Sequence, residues 1–255
     1  MSVIRSIVAS LVCLVSVGAF AQTAEELVAK NLQAKGGVDK IKAIKSVRMT
    51  GNFDAGGFKA TVGQLSKRPD MVRETFAVQG MTQIQAYDGS SGWQISPFGG
   101  RKDPELLGED DVRGLAEDAD FDGPLVDAQT KGNKIEYLGH DQVDGDDAYK
   151  LKVTLKNGDI FYYYLDPDTY IEIQVEKQQF IRGSVRERVV DLGSYKPVDG
   201  VMYPFSISEG PRSNPGAQVT TIDKIQVNVA FQESDFALPA SLRTEEKKSG
   251  LVGVH

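Results

Sequence analysis

His140 is the first residue to weigh, because an imidazole is the side chain most often used as a general base or metal ligand near neutral pH. The 255 residues contain two histidines, His140 and His255, and a single cysteine, Cys13. One cysteine rules out a disulfide framework and any Cys₂His₂ or Cys₄ zinc site. Nucleophile–histidine catalysis would rest on His140, which follows Gly139 in an expected loop beside Asp141, or on the C-terminal His255. A triad needs a nucleophile and an orienting carboxylate converging on that ring. Gly89-Ser90-Ser91-Gly92 is not the G-x-S-x-G elbow and sits where a hairpin turn is expected. A solvated loop histidine is the competing reading. No P-loop, G-x-G-x-x-G or H-E-x-x-H occurs.

Asp118-Ala119-Asp120-Phe121-Asp122-Gly123 matches the first half of a calcium-binding EF-hand loop, and Leu125 falls where that loop takes an aliphatic residue. The twelfth position is Gln129, where a bidentate Glu is required, so two oxygen ligands are missing. An acidic helix end followed by a turn accounts for the same residues, and no metal or cofactor is assigned. Phe161-Tyr162-Tyr163-Tyr164 is the densest aromatic run. On a strand, Phe161 and Tyr163 share one face and Tyr162 and Tyr164 the other. Such a run serves either core packing or the wall of an apolar pocket with a few hydroxyls. Arg182, Arg186 and Arg188 suit anionic head groups, or simply an exposed strand face.

Charge and targeting narrow the classes further. Lys+Arg 29 against Asp+Glu 36 leaves a net charge of −7, which opposes nucleic acid as the main partner because phosphate binding needs clustered cations. Residues 1–21 read as a secretory signal: Arg5, an apolar stretch from Ile7 to Phe20, and Ala19-Phe20-Ala21 ahead of Gln22. The apolar stretch falls short of the roughly 20 residues of a membrane span. Cys13 lies in mid-stretch behind Val12, without the small preceding residue of a lipidation site. Removing the signal leaves 234 residues at −8 with no cysteine and no transmembrane segment. The expected compartment is the periplasm.

The elements that would position these residues are mostly strands. Thr23 and Glu26 form a capping box for a helix carrying Leu27, Val28 and Leu32, which Gly36-Gly37 stops. A short second turn spans Val38 to Ile44. From Ser46 the period becomes two: Val47/Met49, Leu151/Val153/Leu155, Ile171/Ile173/Val175 and Ile225/Val227/Val229/Phe231 alternate with polar neighbours such as Glu172. Asp88-Gly89, Asp144-Gly145, Asn157-Gly158 and Asp199-Gly200 mark hairpin turns. Between 104 and 127 the alternation lapses, and Leu106, Leu107, Val112 and Leu115 suggest a short amphipathic helix with acidic residues at its start. About eleven one-faced strands cannot stay flat and must curl round those helices. The expected fold is mainly β with short helices (α+β): an incomplete antiparallel barrel over residues 22–240, followed by a loose tail from 241 to 255.

Gly63-Gln64-Leu65-Ser66-Lys67-Arg68-Pro69, then Ile84, Asp88-Gly89, Trp93 and Pro97-Phe98, resembles the front half of the periplasmic lipoprotein carrier (LolA-like) superfamily. Phe236-Ala237-Leu238-Pro239 is similar to that family's closing F-x-x-P, and Gly139, Val143-Asp144-Gly145 and Asp166 fit its middle strands. The resemblance implies an unclosed barrel wrapped round helices, with acyl chains held in the concave face. It implies that Arg68, in the K-R-P string, helps hold a helical lid, and it places Trp93 near one rim. Gly36-Gly37, the Phe161–Tyr164 run and the long strands beyond Glu176 depart from the dedicated carrier. The expected role is a carrier or binding protein for a lipid, an acylated lipoprotein or another hydrophobic ligand, with Arg68, Trp93, Phe161 and Tyr163 as ligand or lid residues. The alternatives are an envelope sensor that engages a protein partner or, with less to support it, an enzyme working without His or Cys.

Overall fold

The computed structural model describes residues 22–243. The expected signal with Cys13, and the chain from 244 onward with His255, lie outside the described residues. Helix α1 (Ala24–Ala34) starts at the capping box: the Glu26 amide donates to Thr23 Oγ1 at 3.1 Å and the Thr23 amide to Glu26 Oε2 at 3.2 Å. Such a cap is worth about 1 kcal/mol. Gly36, at φ +118°, then reverses the chain into α2 (Val38–Ala43), and its Cα passes so close to Gly200 that an added Cβ would meet the Gly200 carbonyl at 2.1 Å.

The strands follow in two runs. The first is β1 (Ser46–Ala55), β2 (Phe58–Lys67), β3 (Met71–Val78), β4 (Met81–Tyr87), β5 (Gly92–Ile95) and β6 (Glu105–Leu106). Helices α3 (Glu109–Ala119) and α4 (Ala128–Lys131) intervene. The second run is β7 (Lys134–Val143), β8 (Asp146–Thr154), β9 (Ile160–Leu165), β10 (Glu172–Ile181) and β11 (Ser184–Gly193). After the small hairpin β12 (Lys196–Val198) and β13 (Val201–Tyr203) come β14 (Ser206–Pro211) and β15 (Gln218–Val227). One thirteen-stranded sheet results, ordered β6-β5-β4-β3-β2-β1-β15-β14-β11-β10-β9-β8-β7, with every neighbouring pair antiparallel. Strand β15 joins the two meanders by pairing with β1, while β6 and β7 remain unpaired edges, so the barrel is open.

Alternation predicts about eleven strands and the described residues form fifteen; three of the further ones, β6, β12 and β13, are two or three residues each, too short to show a period. Leu106, read as helical, belongs to β6, and α3 begins three residues later. His140, read as a loop residue, sits within β7 opposite Tyr149. Asp144 (φ 53°) and Gly145 (φ 94°) both take the left-handed region that a two-residue hairpin demands.

The helices fill the concave face. Leu27 of α1 packs with Leu125, Leu151, Val153 and Phe161, and Leu32 and Ile41 pack with Val47, Val126, Ile222 and Ile225. Each such aliphatic side chain contributes about 1.5–3 kcal/mol on burial. Helix α3 lies farther along the same face, with Leu115 and Ala119 against Val72, Tyr87 and Leu107. No helix among the described residues is long and apolar enough to cross a membrane.

Candidate functional site

The helices leave part of the concave face uncovered, and two cavities remain there. The larger, about 530 Å³, is walled by Met49, Val62, Phe76, Ile207 and Ile222, with Gln64, Glu74, Gln83, Gln85, Glu209 and three threonines among its polar groups. The smaller, about 320 Å³, runs under α3 and the loop after it and is lined by Phe161, Tyr163, Val175, Glu117, Asp118, Glu172 and Lys177. Met49 and Gln64 line both.

Register places these side chains. Met49, Gln64, Glu74, Gln85, Gln94 and Glu105 are successive cross-strand partners from β1 to β6, so a polar row crosses the concave face. Gln94 donates to Glu105 at 2.7 Å and Gln85 to Gln94 at 3.3 Å. The next row is apolar at Gly51, Val62 and Phe76 and ends on the polar Gln83; beyond it lie Phe53 and Ala60. Phe76 sits at the centre of an aromatic cluster, with ring centroids 5.3 Å from Phe53, 6.2 Å from Phe58 and 6.4 Å from Phe98. Phe58 is 51% exposed and Phe98 42%, so this cluster forms a wet-edged apolar mouth. The residue-level reading of the sequence did not single out these phenylalanines, because they lie on three strands and a turn; only the alternation Phe53/Ala55 and Phe58/Ala60 hinted at a shared face.

Helix α3 bridges the open side. Its apolar edge holds β3 and β4, and its other edge is tied to β10, where Lys177 Nζ lies 2.5 Å from Glu117 Oε1 and Gln179 donates to Glu117 at 2.8 Å. Burial alone would lower the Lys177 pKa, but Glu117 and Asp118 outweigh it and hold the ammonium above its usual value. Arg113 donates to the Phe180 carbonyl, and the Arg182 amide donates to Asp110 at 3.1 Å.

Five of the seven carboxylates lining the two cavities have a cationic partner: Glu117–Lys177, Glu172–Lys35 (2.9 Å), Asp120–Lys131 (2.6 Å), Asp122–Arg68 (2.6 Å) and Glu209–Arg188 (3.1 Å). Two of the Asp side chains that suggested a calcium loop are therefore engaged by the chain's own cations. Arg188 faces the concave side, not solvent alone. Glu172, read as a solvent-facing residue, is 3% exposed because a bulge between Glu172 and Gln174 switches which residues of β10 face inward. Glu74 and Asp118 are the two without a hydrogen-bond or ion-pair partner among the described residues. Glu74 is half-buried and Asp118 exposed; the surrounding protein holds Glu74 above the ordinary carboxylate range, with Asp118 raising it further, while at Asp118 the same effect is offset in part by Lys177.

The four residues singled out from sequence are not brought together. Phe161 and Tyr163 point inward and share the smaller cavity, with burial holding the Tyr163 hydroxyl well above its usual pKa. Arg68 lines neither cavity. Its guanidinium takes both oxygens of Asp122 (2.6 and 2.7 Å) and donates to the carbonyls of Ile41 (3.0 Å) and Ile44 (2.6 Å), with the Phe121 ring 4.8 Å away. It thus clamps the end of α2 to the loop after α3. Trp93 is on the other face of the sheet, 4% exposed, donating to the Phe236 carbonyl at 2.9 Å and packed on Leu238 and Leu242. Leu242, within the stretch expected to be loose, is buried there. His140 contacts Asp147 at 2.7 Å and the Tyr149 ring on an exposed strand.

Comparison with solved structures matches this architecture over most of the chain. A LolA superfamily protein from Nitrosomonas europaea superposes with a TM-score of 0.57 at 15% identity, covering 86% of this chain and 99% of that one. The two chains share a fold. A DUF1329 family protein from Desulfovibrio piger gives 0.56 at 12% identity, covering 85% and 98%. An outer membrane lipoprotein-sorting protein domain from Vibrio parahaemolyticus gives 0.52 at 12%, covering 82% and 97%. No protein-family model matches the sequence, and no curated protein does. The likeness to LolA-like proteins therefore lies in the half-barrel, and the site must be read from this chain's own side chains.

Proposed function

We propose that this protein is a periplasmic binding or carrier protein that holds a hydrophobic ligand, such as a lipid or an acylated lipoprotein, in the concave face of the half-barrel. The observation that carries this reading is the larger cavity. Its volume of about 530 Å³ and its Met, Val, Phe and Ile walls match the size and character of small-molecule sites. The aromatic mouth of Phe53, Phe58, Phe76 and Phe98 gives an apolar tail a path inward from water. Each methylene buried along it adds about 0.8 kcal/mol before ordering costs are subtracted.

The LolA-like fold supports carriage of an acylated cargo, and the signal-like residues 1–21 support the periplasm. In this reading Phe161 and Tyr163 form the inner wall, Arg68 stabilises the closed arrangement of the helices, and Trp93 contributes to stability rather than to ligand contact. The protein is read as a binder and not an enzyme, since His140 has Asp147 and Tyr149 as its partners and lies outside both cavities. A neutral long-chain fluorescent probe should bind the purified protein, and Phe76→Ala should weaken it about tenfold. Protein that carries no lipid from its native envelope and binds no such probe would refute the reading.

A protein-interaction role on the same fold has one feature in its favour. Phe180 and Val185 face each other at the tip of the β10–β11 hairpin and are 58% and 62% exposed. A pull-down that returns one stoichiometric protein and no lipid would favour that role.

A further inference from the structure

The polar end of the larger cavity has an unbalanced charge. Five of the seven carboxylates along the concave face already have a lysine or arginine within salt-bridge distance, and the cations there are taken up by those pairs. Glu74 and Asp118 are left over. They come from different elements, β3 and α3, and flank Gln64, which is the cross-strand partner of Glu74 and whose amide donates to the Asp118 backbone carbonyl at 3.5 Å. Glu74 is half-buried, carries no partner among the described residues, and lines the larger cavity beside Gln64 and Gln85. Apolar wall begins one register row away, at Val62 and Phe76.

An apolar groove whose polar end holds the unpaired Glu74 beside Gln64 and Gln85, with Asp118 across Gln64 in the adjoining cavity, is complementary to an apolar tail with a hydrogen-bond-donating cation at its head. An ammonium offers three donors and no acceptor, and hydrogen bonds to ionised groups are about twice as strong as neutral ones. An anionic head would meet like charge that no free cation offsets, which is how a site selects against a ligand as well as for one. We infer that the groove selects amphiphiles whose polar end is a protonated amine, with Glu74 and Asp118 as its counter-charges. This rests on the carrier reading above and adds the class of head group to it. Because its surroundings hold the Glu74 carboxyl above the ordinary range, an arriving ammonium would displace its proton and restore the charge it then pairs with.

The test is calorimetric titration of the purified protein at pH 7 with dodecylamine, dodecanol and dodecanoate, each below its micelle-forming concentration, with butylamine as a tailless amine. Dodecylamine should bind at least about tenfold more tightly than dodecanoate, with dodecanol between them and butylamine far weaker. Glu74→Gln combined with Asp118→Asn, checked for folding by circular dichroism, should narrow the amine–carboxylate gap to about threefold or less. If that pair fails to fold, Glu74→Gln alone should narrow the gap. Equal binding of the three twelve-carbon probes overturns the head-group inference and leaves the carrier reading standing. So does an amine preference that survives both substitutions, and so does butylamine binding as tightly as dodecylamine. Failure of all the probes to bind removes both.

Discussion

The guanidinium of Arg68 is divided between two helix-end carbonyls and both oxygens of a carboxylate that is only 7% exposed. A planar fork can meet all three partners at once, whereas a lysine ammonium supplies one point charge. Arg68→Ala should therefore cost about 2–4 kcal/mol, because Asp122 is left buried without its counter-charge, and Arg68→Lys should recover less than half of that. Urea unfolding at pH 7 measures both, and a cycle with Asp122→Asn should give a coupling of about 1 kcal/mol or more. Backbone geometry makes a second residue-scale prediction. Gly36→Ala places a Cβ 2.1 Å from the Gly200 carbonyl at a φ that L residues avoid, whereas Gly123→Ala adds a Cβ in open space at φ +78°. The first should lose about 2 kcal/mol or more and the second about 1 kcal/mol, measured the same way.

Helix α3 is held by two different kinds of contact along its two edges. Leu115 and Ala119 pack without water against Val72, Tyr87 and Leu107, while Glu117 faces the groove and ties to Lys177 and Gln179. The polar edge depends on the charge of Glu117, whereas the apolar edge keeps its packing when that charge is removed. Glu117→Gln should therefore loosen α3 locally. Hydrogen exchange of the amides of residues 109–119 should accelerate about tenfold while β8 and β9 keep their protection, which separates local opening from global unfolding. Unchanged exchange in α3 would show that the apolar edge alone fixes the helix. The strand elements carry their own determinants: Asp144-Gly145 and Asp199-Gly200 adopt positive φ at both turn positions, which sets hairpin register without help from the rest of the chain.

Across the whole molecule, the concave face accumulates carboxylates whose ionisation the fold opposes. Glu74 and Asp118 are raised chiefly by the surrounding protein, and Asp120 is raised by burial in spite of Lys131. A carboxyl with a higher pKa folded than unfolded binds more protons in the native state between the two values. Stability must then fall as pH rises from the unfolded carboxylate range toward the raised folded values, and the loss is complete above them. The urea midpoint should be higher at pH 5 than at pH 8, and Glu74→Gln should raise stability at pH 8 by on the order of 1–2 kcal/mol, with little effect at pH 4. Asp141, lowered by its hydrogen bond from Lys150, acts in the opposite sense, but its window lies below its ordinary value and closes before pH 5. A wild-type midpoint that climbs from pH 5 to pH 8 would contradict this balance. What could be read from the sequence alone follows the range of the interactions involved. The capped first helix, the Asp-Gly turns, the period-two strands and the lapse between 104 and 127 each depend on residues a few positions apart, and each was legible. The inward pair Phe161 and Tyr163 was legible as a pair, but which face they take was not. Bulges at Glu172 and beside Gly51 switch the alternation, and a bulge is a property of two strands together. Glu74 reads as one polar residue in an alternating strand, and Asp118 as part of a helix end. Only register and the docking of α3 set them on either side of Gln64 with no ion pair of their own, because a carboxylate's surroundings are set by whatever lies across the sheet and above it, some forty residues away in the chain.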